Sequence, residues 1–168
     1  ELHTIQVMLA IVDAQREYAV IDHDGDGLLE YAGKFRSDPE TQNGLYWEAG
    51  EGRPLSPLGV FVAQAKHEGY TEKKSDGESM PYYGYYYRIL TAQGKNAPGG
   101  AFDYKVKENM MGGFAVIAWP ADYGSSGVMT FLVNHDGVVF QKDLGDDTEQ
   151  EVQKISLFDP DKTWVKTQ

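Results

Sequence analysis

The first part of the chain repeats apolar residues at the spacing of an amphipathic helix. One stripe consists of Leu2, Ile5, Leu9 and Val12, with Met8 and Ala19 beside it. The polar side, which we expect to face solvent, consists of Gln6, Asp13, Gln15 and Glu17. We therefore predict one helix from about Leu2 to Ile21, ended by the acidic segment that begins at Asp22.

The stretch from Tyr31 to Pro57 is rich in glycine, proline and charged residues. This composition predicts an irregular segment rather than a helix or strand. Its apolar cluster is Leu45-Tyr46-Trp47, and we expect Trp47 to anchor the segment on the core.

A short second helix is predicted directly afterwards, because Ser56 and Pro57 are a good N-cap and first-turn pair. Its apolar positions are Leu58, Phe61, Val62 and Ala65, before Gly69. The charged stretch from Thr71 to Ser79 predicts a surface loop.

Most of the chain from Tyr85 to Asp143 is rich in aromatic and β-branched residues between glycine-containing turns, which is typical of β-strands. The predicted strands are Tyr85 to Thr91, Phe102 to Lys107, Gly113 to Trp119, Val128 to Val133 and Val138 to Lys142. Asp136-Gly137, between two apolar runs, predicts a tight hairpin. Because these strands follow one another without intervening helices, we expect an antiparallel meander.

The tail predicts a short C-terminal helix, since Thr148 and Glu151 have the spacing of a capping box. This helix would run to about Leu157. Together the elements predict a single α+β domain over residues 1–168. In it, the long N-terminal helix packs on an antiparallel meander sheet, an arrangement that is pilin-like.

Composition narrows the choice of partners. The net charge is −11, which repels phosphate groups, so we expect no nucleic-acid partner. No apolar run approaches the roughly 20 residues that span a bilayer, so this segment is not expected to insert into a membrane. The chain has no cysteine, which excludes disulfides, a thiol nucleophile and a cysteine-ligated zinc site.

The acidic segment Asp22-His23-Asp24-Gly25-Asp26-Gly27 has the pattern of the first half of a calcium-binding loop. Asp22, Asp24 and Asp26 would supply carboxylates, and Leu28 would supply its backbone carbonyl. Position twelve, where a bidentate glutamate belongs, is Gly33.

Glu30, at position nine, is the nearest substitute for that missing glutamate, and water or Asp38 could add a further ligand. The pattern thus predicts a calcium site of altered geometry. A plain turn rich in aspartate and glycine is the alternative, because acidic sequences often form one.

The chain also has more aromatic side chains near its first strand than one sheet face needs. They are Tyr82, Tyr83, Tyr85, Tyr86 and Tyr87, together with Trp119 and Tyr123. One interpretation is a core face backed by a half-exposed aromatic ladder. The other is an exposed patch, formed by Tyr83, Tyr86, Trp119 and Tyr123, that binds a glycan, a peptide or a partner protein.

No motif indicates a catalytic site. The histidines His3, His23, His67 and His135 lack zinc-ligand spacing and are each expected at the surface or locally bonded. Gly124-Ser125-Ser126-Gly127 differs from a nucleophile elbow and predicts a turn. Gly94 to Gly100 lacks the ending of a phosphate-binding loop. Asp136 and Asp143 are expected near one another across a hairpin, where carboxylates are usually solvated.

Two long stretches of the chain carry a family resemblance. The first joins Ile11–Ala19 to Asp22–Gly27 and Glu30–Ala32; the second comprises Gly84–Gly94, Ala97–Ala101, Gly112–Ala115, Trp119–Gly124, Ser126–Phe131 and Val133–Val139. The chain resembles the bacterial domain of unknown function 2950 over nearly its whole length.

This resemblance implies an exported protein, periplasmic or extracellular, whose precursor has a signal peptide and a further N-terminal region outside this chain. It implies no activity. The predicted fold is also similar to the heads of type IV pilins and secretion pseudopilins. Those proteins polymerise through a strongly apolar half-helix, whereas the first helix here carries Gln6, Asp13, Gln15 and Arg16.

Two function hypotheses follow. The first is a non-enzymatic binding or assembly module of the bacterial envelope, with a structural calcium ion and an envelope protein or glycan as its partner. The second is a carbohydrate-active or other hydrolase that uses Asp and Glu residues beside the aromatic strip. Carboxylates converging in an aromatic cleft at glycosidase separation would favour the second.

Overall fold

The computed structural model describes residues 1–62 and 81–167. In these ranges the chain forms helix α1 (Leu2–Tyr18) and helix α2 (Thr148–Lys154). The strands are β1 (Tyr85–Leu90), β2 (Ala92–Gln93), β3 (Phe102–Asp103), β4 (Lys105–Val106), β5 (Asn109–Met110), β6 (Ala115–Pro120), β7 (Met129–Asn134), β8 (Phe140–Asp143) and β9 (Val165–Lys166).

A five-stranded sheet in the order β1-β6-β7-β8-β9 forms the centre of the fold, and every neighbouring pair is antiparallel. The predicted α+β class and antiparallel meander are therefore confirmed. Strands β7 and β8 are joined through the predicted Asp136-Gly137 turn, in which the N–H of Gly137 donates to the carbonyl of Asn134 over 2.9 Å. Gly137 has a φ of 79°, a conformation that glycine adopts without strain.

The two helices cover opposite faces of this sheet. Side chains on a strand alternate between faces, so Tyr87 and Tyr86 point in opposite directions. Helix α1 lies on the Tyr87 side, where the Thr4 side chain contacts Tyr87. Helix α2 lies on the Tyr86 side, where Glu149 bonds to Trp119, the residue that Tyr86 faces across the β1–β6 ladder.

The buried side of α1 differs from the predicted stripe. Leu2 and Leu9 are 71% and 41% exposed, whereas Gln15 is fully buried. The buried positions are Thr4, Val7, Met8, Ile11, Val12, Ala14, Gln15 and Tyr18. The prediction that Gln15 faces solvent is wrong because its amide has buried backbone partners, which remove the cost of burying a polar group. The helix also ends at Tyr18 rather than Ile21.

The segment from Tyr31 to Pro57 is irregular, as predicted, and contains isolated bridges instead of strands. Trp47 is 5% exposed, and its indole N–H donates to the carbonyl of Pro54 over 2.9 Å, so it does anchor the segment. Residues 59–62 are helical, at the start of the predicted second helix. The rest of that helix, and the predicted loop from Thr71 to Ser79, lie outside the described residues.

The single strand predicted from Phe102 to Lys107 is two strands, because the chain changes partner at Tyr104. Strand β3 pairs with β2, whereas β4 pairs with β5. Between them the N–H of Tyr104 donates to the carbonyl of Thr91 over 2.8 Å, and the fully buried Tyr104 hydroxyl donates to Gln93 Oε1 over 2.9 Å.

The predicted capping box at Thr148 is wrong. Asp147 occupies the N-cap position, and the Thr148 hydroxyl donates to the carbonyl of Gly145 over 2.6 Å. The helix stops at Lys154 instead of about Leu157, since Ile155 is extended. Arg88 then donates to the carbonyls of Val152 and Ile155 over 2.8 and 2.7 Å, which satisfies groups that a helix end leaves unpaired.

Candidate functional site

The acidic loop after α1 is folded by hydrogen bonds from its own backbone. Asp22 Oδ1 and Oδ2 accept the N–H groups of Gly25 and Gly27 over 2.7 and 2.9 Å. Asp24 Oδ1 accepts the N–H of Asp26 over 3.2 Å. Gly25 and Gly27 have φ values of 77° and 85°, which explains why the turn needs glycine there.

The three loop aspartates converge. One side-chain oxygen of each of Asp22, Asp24 and Asp26 lies within 4.8 Å of the others, and all three residues are exposed. This is the spacing of oxygens that hard cations such as calcium bind. Exposed acidic groups also occur without an ion.

Asp26 and Glu30 tie the loop to the β4–β5 hairpin. Asp26 Oδ2 accepts a hydrogen bond from the Asn109 side chain over 2.9 Å, and Glu30 Oε2 accepts the N–H of Met110 over 3.1 Å. Burial, and then the charges of the loop aspartates, raise the pKa of Glu30, against the opposing effect of the Met110 hydrogen bond. Ionisation of Glu30 is therefore less favourable in the folded protein than in the unfolded chain.

The other three predicted ligands are Leu28, Glu30 and Asp38, and they differ in how near they lie to the three aspartates. The N–H of Leu28 donates to Asp26 Oδ1 over 2.8 Å, which holds Leu28 in the loop, and its role as a carbonyl ligand stays a prediction. Glu30 lies near enough to sense the aspartate charges, but it is not one of the three grouped carboxylates. Asp38 bonds instead to Lys34 over 2.6 Å and to Asn43 over 2.8 Å, and the Lys34 bond leads the lowering of its pKa.

His23 fixes the start of the loop on the core. Its ring stacks on Tyr18 with a centroid separation of 3.9 Å, and Nε2 lies 3.1 Å from the carbonyl of Tyr18. Its other nitrogen lies 3.3 Å from Gln42 Oε1. Burial, with the charges of Glu30 and Asp24, raises the pKa of Tyr18 to about 12.

A second feature is an open cleft of about 670 Å³ beside the N-terminal end of α2. We call it the aromatic cleft, and its lining residues are Tyr86, Trp119, Pro120, Ala121, Asp122, Tyr123, Asp146, Thr148 and Glu149. Three of the four aromatic residues predicted to bind a partner border it. Its volume is typical of ligand sites in proteins.

Trp119 forms the base of the aromatic cleft and is only 7% exposed. Its indole N–H donates to Glu149 Oε2 over 2.8 Å, and its ring lies 5.8 Å from that of Tyr86. The guanidinium carbon of Arg88 lies 5.5 Å from the Trp119 ring, while Arg88 also bonds to the end of α2. Trp119 is therefore held in place from several sides.

The Asp122–Gly127 turn forms one wall of the aromatic cleft, and Gly124 to Gly127 is a turn, as predicted. The N–H of Gly124 donates to the carbonyl of Gly127, and the hydroxyl of Ser126 to the carbonyl of Asp122, over 2.8 and 3.1 Å. Tyr123 donates its hydroxyl to Asp143 Oδ1 over 2.9 Å. That bond is the main cause of a raised pKa for Tyr123.

The fourth predicted aromatic residue lies elsewhere. Tyr83 stacks on His3 at 4.8 Å and contacts Tyr82 at 4.6 Å, so it packs near the start of α1. Asp136 and Asp143 do not come together either. Asp136 is in the β7–β8 turn, whereas Asp143 pairs with Met129 at the opposite end of the hairpin.

The carboxylates of the aromatic cleft were not singled out by the sequence. Asp122 adjoins Tyr123, but Asp146 and Glu149 follow Trp119 by about thirty residues. Tyr86 and Trp119 are neighbours because the β1–β6 register pairs them. Glu149, on α2, accepts a hydrogen bond from Trp119. Long-range pairing of this kind leaves no local spacing in the sequence.

These observations define an α+β protein with an acidic loop at one helix end and an aromatic, acidic cleft beside another. The chain belongs to the family described as protein of unknown function (DUF2950), whose model matches residues 1–167. No curated protein and no solved structure matches it. In the described part of the chain, no helix is both long and apolar enough to cross a membrane.

Proposed function

We propose that this chain is a non-enzymatic binding module of an exported bacterial envelope protein, which uses the aromatic cleft to bind an envelope protein or glycan. One observation carries the proposal: Tyr86, Trp119 and Tyr123 border the same open cleft of about 670 Å³. Aromatic side chains on a rigid sheet provide contact area at low entropic cost. We do not propose the hydrolase alternative, because the three acidic residues of the cleft, Asp122, Asp146 and Glu149, are all exposed, whereas the general acid of a glycosidase has its pKa raised by its environment.

A ligand titration followed by two-dimensional NMR tests this role. The three tryptophans give separate indole N–H signals, and only Trp119 lines the aromatic cleft, whereas Trp47 bonds to Pro54 elsewhere. Envelope glycan fragments and peptides from envelope proteins are added in turn. We expect at least one of these ligands to move the Trp119 signal and leave the Trp47 signal in place.

Matched variants complete this test. Tyr123→Ala removes one wall of the aromatic cleft and should weaken binding. Leu55→Ala removes an exposed apolar side chain outside it and should not. If no glycan or peptide moves the Trp119 signal, or if both variants bind equally well, the binding role of the cleft is contradicted.

We further propose that the acidic loop holds a structural calcium ion. The convergence of Asp22, Asp24 and Asp26 supports this, as does the position of the loop at the C-terminal end of α1. That end of a helix carries unpaired carbonyls and partial negative charge, which a cation offsets. Burial, and then the charges of the loop aspartates, raise the pKa of Glu30, and the same ion would offset the second of these causes.

Thermal unfolding of calcium-stripped protein, with and without added calcium, tests the ion site. At a calcium concentration about 100 times the Kd, the melting temperature should rise by about 5 to 10 °C. Asp24→Asn should abolish the rise, whereas Glu17→Gln, an exposed charge change on α1, should retain it. An equal response in the two variants, or no rise up to millimolar calcium, would leave the loop as a simple turn.

A further inference from the structure

We infer that the aromatic cleft receives the ammonium group of a lysine side chain from a partner polypeptide. This inference rests on the proposed binding function and names the chemistry of its ligand. Three features of the cleft support it: the charges of its lining residues, the bonds that those charges already make, and the small exposed fraction of Trp119.

The lining of the aromatic cleft has a uniform charge. Asp122, Asp146 and Glu149 are its three ionisable acids, and none of its nine lining residues is Lys, Arg or His. The chain as a whole carries a net charge of −11. A cationic ligand is therefore favoured at the mouth of the cleft, and an anionic one is repelled.

Two of these carboxylates have unused acceptors. Within the described residues, no hydrogen bond or ion pair involves the carboxylates of Asp122 or Asp146. Glu149, by contrast, is engaged by Trp119 over 2.8 Å and by Gln153 over 3.1 Å. An ammonium group has three N–H donors that these free acceptors can bind, and charge-assisted bonds of this kind are the stronger class.

A metal ion fits the aromatic cleft less well than an ammonium group does. A metal ion needs several ligand atoms close together. In the described part of the chain, three such atoms lie within 4.8 Å of one another at Asp22, Asp24 and Asp26, and not in the aromatic cleft. The three cleft carboxylates therefore do not all lie within that distance of one another. A cation carried on an apolar chain suits this arrangement, because Tyr86 and Tyr123 can contact its methylene groups while the carboxylates bind its head.

A sugar ring also fits less well. Sugars stack on broad, exposed aromatic faces, but Trp119 is 7% exposed and already lies beside the Arg88 guanidinium. Arg88 is not a lining residue, and its guanidinium donates to the carbonyls of Val152 and Ile155 at the end of α2, so its single charge offsets only part of the charge of the three acids. The open cleft of about 670 Å³ exceeds one lysine side chain, so residues flanking the lysine can enter as well.

The test uses a short peptide with one central lysine, blocked at both ends, and the same peptide acetylated on the lysine Nζ. Binding is followed through the Trp119 indole signal. We expect the unmodified peptide to bind at least about tenfold more tightly than the acetylated one, since acetylation removes a charge-assisted interaction. Its affinity should also fall as salt is raised.

Asp146→Asn and Asp147→Asn form a matched pair, because these neighbouring exposed residues lose the same charge and only Asp146 lines the cleft. Asp146→Asn should weaken the lysine peptide several-fold, and Asp147→Asn should leave it nearly unchanged. Equal effects would mean that the peptide responds to net charge alone, which overturns the inference. Thermal melts of both variants establish that each is folded.

The remaining outcomes separate this inference from the binding role itself. If the acetylated peptide or a neutral oligosaccharide moves the Trp119 signal as effectively as the lysine peptide, the ammonium assignment is overturned while the cleft remains a binding site. If 1,5-diaminopentane binds as tightly as the peptide, the polypeptide assignment is overturned. If no ligand in either panel moves the Trp119 signal, both proposals fail.

Discussion

Gln15 and Ala32 form a reciprocal pair of hydrogen bonds that closes the base of the acidic loop. Gln15 Nε2 donates to the Ala32 carbonyl, and Gln15 Oε1 accepts the Ala32 N–H, each over 2.8 Å. Gln15 is fully buried and Ala32 is 1% exposed. A polar side chain in the last turn of α1 thus supplies the hydrogen bonds that the backbone at Ala32 would otherwise lack.

Replacing this amide should destabilise the protein strongly. Gln15→Met preserves the approximate shape but leaves the buried N–H and carbonyl of Ala32 without partners. We expect a loss of about 2 to 4 kcal/mol in the free energy of unfolding, measured by urea denaturation. Gln6→Met, on the exposed side of the same helix, should change it by less than about 0.5 kcal/mol. Similar losses in the two variants would contradict the role of the Gln15 pair.

Two charges in the calcium-free acidic loop should act in opposite directions. The pKa of Glu30 is raised, so the folded protein holds its proton more tightly than the unfolded chain does. Its contribution to stability therefore falls as pH rises from the pKa of Glu30 in the unfolded chain through its raised pKa in the folded protein. At neutral pH the contribution stays unfavourable. Glu30→Gln, which can still accept the Met110 N–H, should stabilise the calcium-free protein at pH 7 by less than about 1 kcal/mol, because the site is partly solvated. Its melting temperature should therefore rise by less than about 4 °C.

Asp22 provides the opposite case. The N–H of Gly27 leads the lowering of its pKa, so its contribution to stability is present above its ordinary pKa and is lost as pH falls. Asp22→Asn should therefore lower the calcium-free melting temperature at pH 7. Shifts of the same sign in Glu30→Gln and Asp22→Asn, measured by differential scanning fluorimetry, would contradict this assignment.

The sheet was predictable because its signals are local. Strand β6 is a continuous apolar run, and Asp136-Gly137 is a turn that fixes a hairpin by itself. The break at Tyr104 was not predictable, since it depends on a hydrogen bond to Thr91 and a buried partner in Gln93. Local propensity does not reveal when a chain changes partner.

Of the two candidate sites, the acidic loop was also predictable from local sequence, whereas the aromatic cleft was predictable only in part. The Asp22, Asp24 and Asp26 pattern is contiguous, so the sequence predicts which carboxylates converge. The aromatic cleft combines β1, β6, the Asp122–Gly127 turn and α2, and the sequence indicated its aromatic residues without its acids. Helical periodicity places Gln15 on the solvent side of α1, because periodicity does not reveal a distant backbone partner such as Ala32.

A close approach beside the aromatic cleft gives a further prediction. The position that a Cβ would take at Gly127 is occupied by the Tyr85 hydroxyl, which donates to the carbonyl of Met129 over 3.1 Å. Gly127→Ala should destabilise the protein by about 1 to 3 kcal/mol through overpacking. Gly50→Ala, where a Cβ meets nothing within 4 Å, should change stability by less than about 0.5 kcal/mol.

A double variant separates the overlap at Gly127 from other effects. Tyr85→Phe removes the hydroxyl oxygen, so the combination of Gly127→Ala and Tyr85→Phe should cost less than the sum of the single variants. Ring carbons of Tyr85 would still lie 2.7 and 2.8 Å from the new Cβ, so recovery should be partial. If the losses in the free energy of unfolding, measured by urea denaturation, simply add, the Tyr85 hydroxyl is not the source of the strain.

Buried tyrosines should make the protein sensitive to alkali. Burial raises the pKa of Tyr85, Tyr87 and Tyr104 far above the ordinary value of 10.0. A group whose pKa is raised on folding contributes stability that is complete below its unfolded pKa and is lost as pH rises toward its folded value. The free energy of unfolding should therefore decline above about pH 10. Tyr87→Phe removes one of these hydroxyls and should make the decline shallower between pH 10 and 12 in urea denaturation; a slope equal to that of the unchanged protein would show that Tyr87 does not drive it.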